Sequence, residues 1–396
     1  MKILNARFHV EFSYPVFFTR DVFAPENTVL AKILRSAGNE VNRVLVAVDS
    51  SVFTSSPDLA EKLAAYEKRN APLMEFVDVP FIVRGGEICK NDPREVSAIL
   101  SLTEKHHLCR HSFILAIGGG AVLDAVGFAA AIAHRGIRLI RMPTTTLSQC
   151  DAGVGVKNSV NAYGKKNYIG TFAPPYAVVC DFSFLQTLPI RDRRAGLAEA
   201  VKISLIKDAD FFSFLYETRE RLAVLTPADL ERTIIRCAEL HLMHINKGGD
   251  PFERGTGRPL DFGHWSAHAV EEITEGQLNH GEAVAIGITL DSIYACRMGW
   301  LAVSHLEKVI TILRDLGFSL YHEALEKMDI ARALAAFREH LGGELTLTMP
   351  HGIGKTQEIH TIDISLMKEC LLELKERSGL YERESYLGSK IGRGNP

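Results

Sequence analysis

The sequence predicts two domains, an α/β domain built on a parallel sheet and then an all-α domain. Through residues 1–182, short apolar runs rich in β-branched residues alternate with helix-like stretches, which is the pattern of a parallel sheet with crossover helices. After about residue 195, helical periodicity dominates. A chain of 396 residues is also too long for one ordinary core. We therefore expect domains at residues 1–182 and 183–396, the second ending in a loosely held tail over residues 381–396.

Composition excludes several classes of protein. The formal net charge of -3 gives no reason to expect nucleic acid or an anionic membrane as a partner. No apolar run reaches the roughly 18 residues that a membrane helix needs, and no secretory leader opens the chain. The seven cysteines are odd in number and scattered, with no CxxC pair. We expect reduced thiols in a cytoplasmic globular protein.

The first elements lead to a candidate nucleotide contact. Residues 1–20 alternate apolar and polar side chains, which predicts edge strands or a hairpin. The run RVLVAVDSS at 43–51 predicts a strand ending near Asp49, and a helix is predicted over 57–68. An acidic residue at such a strand end is where an open parallel sheet often contacts a nucleotide ribose. An ordinary helix-capping loop explains Asp49 equally well.

A glycine turn is the next informative segment. It follows a turn with Glu87 and Lys90 and a helix predicted over 92–106. In SFILAIGGGAVLDAVGFAAA, an apolar strand at 113–117 is followed by three glycines and by a helix with Asp124 in its first turn. Glycines here let backbone N–H groups approach a pyrophosphate at the positive end of the helix. The GxGxxG fingerprint is absent, so a mere tight turn remains an alternative.

A polar loop is predicted after the strand IRLIRMP and the segment PTTTLSQCD. Residues 151–172, DAGVGVKNSVNAYGKKNYIGTF, are rich in glycine, asparagine and lysine and poor in large apolar residues. Lys157, Lys166 and Asn167 resemble an anion cradle, because ammonium groups and an amide can share the oxygens of one phosphate. A solvated lysine loop is the alternative.

Histidines and carboxylates gather in PLDFGHWSAHAVEEITEGQLNHGE, residues 259–282. His264 and His268 are four apart in a helix-like segment, so both rings can lie on one side, and His280 opens a second helix. Two imidazoles from adjacent helix ends, with Glu199 as a third ligand, would suit a catalytic divalent metal. Lys202, three residues after Glu199, lies on the same helix face. The alternatives are a purely structural histidine pair and a simple surface ion pair.

Six helices are predicted in the second domain. They cover residues 196–215, 227–246, 265–275, 282–298, 303–316 and 330–340.

Taken together, these segments resemble the sugar phosphate cyclases, the family of 3-dehydroquinate synthase and its sedoheptulose 7-phosphate cyclase relatives. The resemblance runs in order from about residue 49 to residue 355. It rests on DSS, GGEICK, GGGAVLD, HRG at 134–136, PTTTL, DAGVGVK, GKKNYIG, AGLAEAVK, RPLDFGHWSAH and NHGEA. It implies a dehydroquinate synthase-like fold, with an N-terminal nucleotide-binding α/β domain and an all-α metal-binding domain. It also implies NAD, a divalent metal (zinc or cobalt) and a homodimer.

The resemblance also implies roles for individual residues. The metal ligands would be Glu199, His264 and His280, and His268 would lie near the substrate. The NAD contacts would include Asp49, Glu87, Lys90, Gly118, Gly119, Gly120, Asp124, Thr144, Thr145 and Lys166. The substrate and phosphate contacts would include Arg135 (reaching across the dimer), Asp151, Lys157, Asn167, Lys202 and Arg258. The implied reaction is a redox-neutral ring closure in which NAD is reduced and reoxidised and phosphate is eliminated.

Three departures from 3-dehydroquinate synthase bear on the substrate. Asp261 replaces an asparagine, His244 replaces a lysine, and Arg338 with Glu339 replaces a lysine pair. An added carboxylate and a lost ammonium disfavour a carboxylated substrate and suit a polyol. We therefore expect a phosphorylated seven-carbon sugar, sedoheptulose 7-phosphate, as the substrate and a C7 cyclitol as the product. The retained His268 favours a product of the 2-epi-valiolone type over 2-epi-5-epi-valiolone.

Other functions remain open on the sequence. The first is 3-dehydroquinate synthase itself. The second is a metal-dependent polyol dehydrogenase, which shares the glycine turn and the histidine-rich helical domain but accumulates NADH. The third is a scaffold that keeps the fold without activity.

Overall fold

The computed structural model describes residues 1–247, 252 and 259–391. The chain divides into two compact units, Met1–Thr187 and Leu188–Pro396. The boundary predicted at residue 182 falls at the start of the short 3-10 helix Phe182–Gln186, whereas the two units divide after this helix, between Thr187 and Leu188.

The first unit is built on a parallel sheet, as the sequence predicts. Its strands, in chain order, are β1 (Val16–Thr19), β2 (Asn42–Asp49), β3 (Met74–Phe76), β4 (Phe81–Val83), β5 (Phe113–Gly118), β6 (Arg138–Pro143) and, after a separate hairpin β7 (Lys157–Ala162) and β8 (Lys165–Phe172), β9 (Ala177–Asp181). The sheet order is β1-β9-β6-β5-β2-β3, with β4 also pairing with β2. Every strand pair in this sheet is parallel.

Helices lie over both faces of this sheet. They are α1 (Val29–Arg35), α2 (Ser50–Ser55), α3 (Leu59–Asn70), α4 (Ile88–Asn91), α5 (Pro93–Lys105), α6 (Gly120–Ile132) and α7 (Thr146–Cys150). Along β2, Val44 and Val46 belong to the core that includes α1 and α3, whereas Leu45 and Ala47 belong to the core that includes α5 and α6. Because both faces are buried, the strands read as continuous apolar runs.

The prediction for residues 151–172 was wrong in part, because most of this segment forms a hairpin and not a loop. β7 and β8 pair antiparallel, and the first six residues of β8 are all exposed. Backbone hydrogen bonds hold such a hairpin, so its strands need no apolar pattern. The missed signal is the turn at Tyr163 and Gly164, which both have positive φ (54° and 73°), as a tight two-residue hairpin turn requires.

The N-terminal prediction was also wrong in part. In the described chain, residues 1–15 form neither helix nor strand, and the only strand within residues 1–20 is β1. β1 lies at an edge of the sheet, as predicted, but it pairs parallel to β9 and forms no hairpin. The alternating side chains of Phe8, Val10 and Phe12 are exposed, so this pattern does not mark a buried strand face.

The second unit is mainly helical. Its helices are α8 (Ile190–Lys207), α9 (Ala209–Ala223), α10 (Pro227–Lys247), α11 (His264–Ile273), α12 (His280–Arg297), α13 (Val303–Asp315), α14 (Ile330–His340) and α15 (Ile364–Ile391). A small antiparallel pair, β10 (Leu347–Pro350) and β11 (Thr356–Ile359), was not predicted. None of the helices that the structure describes combines the length and apolar character needed to cross a membrane.

One helix prediction for this unit requires correction. The helix predicted over 196–215 is divided into α8 and α9 at Asp208, whose side chain accepts hydrogen bonds from the backbone N–H groups of Asp210 and Phe211. Such a cap begins a new helix and overrides continuous apolar periodicity. α15 extends into the tail predicted over 381–396 and ends at Ile391, and the loose attachment of this tail stays a prediction.

Glycines bring α8, α11 and α12 unusually close together. A Cβ atom added to Gly281, in the first turn of α12, would lie 2.2 Å from the carbonyl oxygen of Ala195 in α8. A Cβ atom added to Gly287 would lie 1.9 Å from the carbonyl oxygen of Gly263, which precedes α11. Only a residue without a side chain permits these backbone approaches. The spacing of the three helices therefore depends on both glycines.

We expect Gly287→Ala to lower the melting temperature, because the new methyl group overlaps the Gly263 carbonyl and overpacking of this kind costs about 1–3 kcal/mol or more. The matched control is Gly379→Ala in α15, where an added Cβ meets nothing within 4 Å. Alanine there should stabilise the helix by roughly 0.5–1 kcal/mol. Differential scanning calorimetry compares the two, and equal melting temperatures would contradict the close helix approach.

Candidate active site

Glu199, His264 and His280 come together inside the second unit. One ligand atom from each residue lies within 4.8 Å of the others. The Nε2 atoms of His264 and His280 lie 3.7 Å and 3.3 Å from Oε1 of Glu199. Glu199 comes from the middle of α8, whereas His264 and His280 are the first residues of α11 and α12. Three helices thus direct one carboxylate and two imidazoles at a common point.

Hydrogen bonds fix the orientation of both imidazole rings. Nδ1 of His264 donates to the backbone carbonyl of Phe262 at 3.0 Å. Nδ1 of His280 donates to the carboxylate of Glu271 at 3.2 Å. With each Nδ1 engaged, Nε2 is the nitrogen that faces Glu199, and this arrangement is typical of metal-binding histidines. Two imidazole nitrogens and one carboxylate oxygen match the donor set of catalytic zinc sites, so these residues fit a divalent cation.

The electrostatics of the two histidines differ. Burial, and then the ammonium group of Lys202, lower the pKa of His264 below its ordinary value, so this ring is neutral. Burial alone would lower the pKa of His280, but hydrogen bonds to Glu199 and Glu271 raise it to about 10. Near neutral pH the His280 ring is therefore positively charged, with a hydrogen on each nitrogen. A cation bound at Nε2 would displace the hydrogen on that nitrogen.

Lys202 and His268 lie beside this cluster. The ammonium group of Lys202 contacts Oε2 of Glu199, and both side chains are buried, so the simple surface pair considered above is wrong. The His268 ring lies 5.5 Å from the His264 ring and 6.3 Å from the His280 ring, measured between centroids. His268 is exposed, one helical turn beyond His264. It is thus placed to contact a molecule bound at the cluster.

Two further predicted residues lie near the start of α11 in the sequence. Asp261 is half-buried at the end of the 3-10 helix Pro259–Asp261. Arg258, a predicted substrate contact, lies outside the described residues.

Asp49 lies close to Gly85 and to Gly118, the first residue of the glycine turn. A Cβ atom on Gly85 would lie 2.5 Å from Oδ1 of Asp49, and one on Gly118 would lie 3.1 Å from Cβ of Asp49. The Asp49 carboxylate accepts a hydrogen bond from the backbone N–H of Ser51 and is thereby fixed. The adjacent helix α6 begins after Gly119, which has no side chain to cap the helix. Such an uncapped N-terminus fits a pyrophosphate group.

A hydrogen-bond network joins the hairpin to α4 and α6, two helices that carry predicted NAD contacts. Nζ of Lys90, a buried side chain, donates to Asp124 at 2.7 Å and also to the side-chain oxygen of Asn167. The hydroxyl of Ser159 lies 3.2 Å from the Asp124 carboxylate and 2.9 Å from the Asn167 oxygen, so its one hydrogen is shared between these acceptors. Residues predicted to contact NAD and a residue predicted to contact phosphate therefore meet in one network.

Asn161 reinforces the same connection and was missed by the sequence analysis. Its side-chain amide donates to Glu87 and to Asn91, each at 2.8 Å, and its oxygen accepts from the backbone N–H of Asn167. Glu87 is thus tied to the hairpin, which also carries the exposed Lys157 and Lys166. No local sequence pattern distinguishes Asn161 from other polar hairpin residues.

Arg141, also missed, supports the loop that follows Asp151. Its fully buried guanidinium donates to the backbone carbonyls of Ala152, Gly155 and Lys157 at distances between 2.5 and 3.2 Å. The hydroxyl of Tyr14 donates to the carbonyl of Val154 at 2.7 Å. These bonds fix the loop between the two predicted contacts. The available signal was an arginine inside the apolar strand IRLIRMP.

The remaining predicted contacts lie at element ends in the first unit. Thr144 is buried, and Thr145 caps α7 through a reciprocal hydrogen-bond pair with Ser148. A Cβ atom on Gly119 would lie 3.2 Å from Thr145, so this threonine borders the glycine turn. Arg135 is exposed after α6 with a φ of 62°. Its reach across a dimer stays a prediction.

Sequence comparison identifies the family. The profile described as 3-dehydroquinate synthase N-terminal matches residues 80–195, and the profile described as 3-dehydroquinate synthase C-terminal matches residues 196–340. Together they span more than half of the chain. The chain belongs to the 3-dehydroquinate synthase family of sugar phosphate cyclases.

Relatives within this family have different activities. The 3-dehydroquinate synthase of Caldanaerobacter subterraneus is 32% identical over 361 residues, which is 91% of this chain and 95% of that protein. The 2-epi-5-epi-valiolone synthase of Streptomyces glaucescens is 35% identical over 352 residues, 88% of this chain and 87% of that protein. Similarity to the family alone therefore does not decide the substrate.

A solved structure of the same family has a matching fold. The 2-epi-5-epi-valiolone synthase ValA of Streptomyces hygroscopicus, solved with NAD+ and Zn2+ bound, has a TM-score of 0.84. It is 29% identical, and the match covers 94% of this chain and all of that one. The predicted dehydroquinate synthase-like fold is confirmed.

We expect Glu271→Gln to weaken zinc binding about 10- to 100-fold, because an amide polarises the His280 ring less than a carboxylate does. Competition with a chromogenic chelator measures the affinity. The matched control is Glu272→Gln, since the Glu272 side chain is exposed and pairs with Arg332 at 3.6 Å on the protein surface. Equal zinc affinity in the two variants would show that Glu271 does not support a metal ligand.

Proposed function

We propose that the protein is a sugar phosphate cyclase that uses NAD and a divalent cation, zinc or cobalt, to convert sedoheptulose 7-phosphate into a C7 cyclitol of the 2-epi-valiolone type. Phosphate is eliminated and NAD is regenerated. The observation that carries this proposal is the cluster of the buried Glu199 and His264 with the partly buried His280, with both Nδ1 atoms engaged elsewhere, in a chain of this family. We also propose a cytoplasmic homodimer.

The side chains divide the work between binding and electrostatics. When bound, NAD accepts and returns one hydride, and the dication withdraws electron density from a substrate oxygen. Glu199, His264 and His280 would hold the cation. Asp49 and the N-terminus of α6 would hold the ribose and the pyrophosphate of NAD.

Other residues would position the substrate. Lys157 and Asn167, on the hairpin, offer an ammonium and an amide to the phosphate group. The hydrogen bonds from Lys90 and Ser159 orient the amide of Asn167. Lys202 and His268 flank the metal cluster and would contact hydroxyl groups of the sugar. This chain thus contributes mainly positioning and fixed charges.

The choice of a polyol over an acid rests on Asp261 and His244. Nζ of Lys207 lies 3.4 Å from Nδ1 of His244. An imidazole can exchange hydrogen bonds with a hydroxyl group, whereas the lysine of 3-dehydroquinate synthase at this position suits a carboxylate. The carboxylate of Asp261 repels a substrate carboxylate and accepts hydrogen bonds from hydroxyl groups.

The second candidate is 3-dehydroquinate synthase. The observation that favours it is the Caldanaerobacter relative with that activity, which aligns over 91% of this chain.

The direct test offers the purified protein sedoheptulose 7-phosphate and, in parallel, the seven-carbon acid substrate of 3-dehydroquinate synthase. We expect phosphate release and a cyclised product, seen by mass spectrometry, from the sugar alone. Absorbance at the NADH wavelength should stay flat, because the hydride returns to the substrate. Phosphate release from the acid alone would favour the second candidate, and steady NADH accumulation would indicate a polyol dehydrogenase.

We expect the double variant His244→Lys, Asp261→Asn to shift the ratio of kcat/KM values toward the acid, because it restores an ammonium and removes a carboxylate. Charge changes of this kind are worth roughly tenfold or more in discrimination. The control is Glu272→Gln, which removes an exposed charge from α11 and should leave the ratio unchanged. An unchanged ratio in the double variant would show that these two positions do not select the substrate.

A further inference from the structure

We propose that Asp291 is a positioning residue for the metal ligand His264, acting through the peptide group between Phe262 and Gly263. The inference rests on the proposed metal site, and it assigns a role to a residue in the middle of α12. In this arrangement Asp291 supports His264 indirectly, as Glu271 supports His280 directly.

The Asp291 carboxylate is buried, with 1% of its surface exposed, and both of its oxygens accept hydrogen bonds. Oδ2 accepts from the backbone N–H of Gly263 at 3.1 Å, and Oδ1 accepts from Nε1–H of Trp265 at 2.9 Å. A carboxylate is costly to bury unless its oxygens are satisfied, so both donors are needed to hold it there. The two donors flank His264 in the sequence.

One peptide group connects the carboxylate to the ligand. Its N–H belongs to Gly263 and donates to Asp291, while its C=O belongs to Phe262 and accepts from Nδ1 of His264. Hydrogen bonds in such a chain polarise one another. The negative charge of Asp291 therefore strengthens the bond that orients the His264 ring and increases the electron density at Nε2.

The surrounding backbone leaves this peptide little freedom to move. Gly263 has a φ of 76°, and a Cβ atom added to it would lie 2.8 Å from the backbone nitrogen of Ile288. Gly287 packs directly against the Gly263 carbonyl. Asp291 is one turn of α12 beyond these contacts, so α12 holds the turn before His264 at several points and also carries His280 at its own first residue.

The test replaces Asp291 by asparagine, which has the same shape. An amide offers one oxygen acceptor where two N–H donors converge, so at least one hydrogen bond is lost and its donor faces the NH2 group. We expect zinc affinity to fall about 10- to 100-fold and the visible spectrum of the cobalt-loaded protein to change. Burial raises the pKa of the Asp291 carboxyl to about 7, so the measurements are made near pH 8.

Two controls separate positioning from general stability. Trp265→Phe removes the indole donor but keeps the bond between Asp291 and Gly263, so zinc affinity should change much less than in Asp291→Asn. Leu313→Ala creates a cavity in α13, which carries no proposed ligand, and should lower the melting temperature without altering the cobalt spectrum.

The outcomes are distinguishable. Wild-type zinc affinity and an unchanged cobalt spectrum in Asp291→Asn would overturn this inference alone. Wild-type protein that binds neither metal would overturn the proposed function and this inference with it. If Asp291→Asn does not fold, hydrogen exchange on the wild-type protein decides. Exchange of the Gly263 amide should slow when zinc is added, and equal exchange with and without zinc would overturn the inference.

Discussion

The packing of the second unit has to compensate the charge of one buried carboxylate, that of Glu199. An isolated charge in the interior costs several kcal/mol, and in this protein Lys202 and two imidazoles surround it. The two histidines can ligate one metal because their rings present Nε2 toward a common point beside Glu199, and one hydrogen bond at each Nδ1 holds this orientation. The glycine contacts of α12 then set the distances among the three helices.

The same physical logic operates in the first unit with different groups. The glycines at 85 and 118 allow Asp49 to approach the backbone closely, and a helix N-terminus follows directly. Side-chain hydrogen bonds from Lys90 and Asn161 join the hairpin to α4 and to Glu87, the residue that precedes it. In both units, groups suited to a ligand's charge are held by second partners and not by the ligand itself. Such prior positioning limits the reorganisation that binding requires.

The local sequence pattern was sufficient to predict elements whose apolar side chains face a core. The strands of the parallel sheet are buried on both faces, so they read as apolar runs, and the helices from α10 to α14 follow their periodicity closely. The local sequence pattern failed where hydrogen bonds determine which element forms or where it ends. The hairpin β7–β8 is polar, and the break at Asp208 depends on one capping carboxylate.

The site divides in the same way. The histidine-rich segment and the glycine turn are visible as motifs, and Glu199 was the expected third ligand before the family resemblance implied the same role. Arg141 was marked only as an arginine inside an apolar strand, and Asp291 had no signal at all, because it acts through contacts between separate elements. Asp291 meets Gly263 and Trp265 across 28 and 26 residues of sequence. Contacts of this range become visible only once the helices are packed.

The central claim is that Glu199, His264 and His280 bind one divalent cation. Anomalous diffraction at the zinc absorption edge, from crystals of the zinc-loaded protein, tests it most directly. The account predicts one peak about 2.0–2.2 Å from a Glu199 oxygen and from Nε2 of both histidines. A zinc peak elsewhere, with these three side chains free of metal, would contradict it.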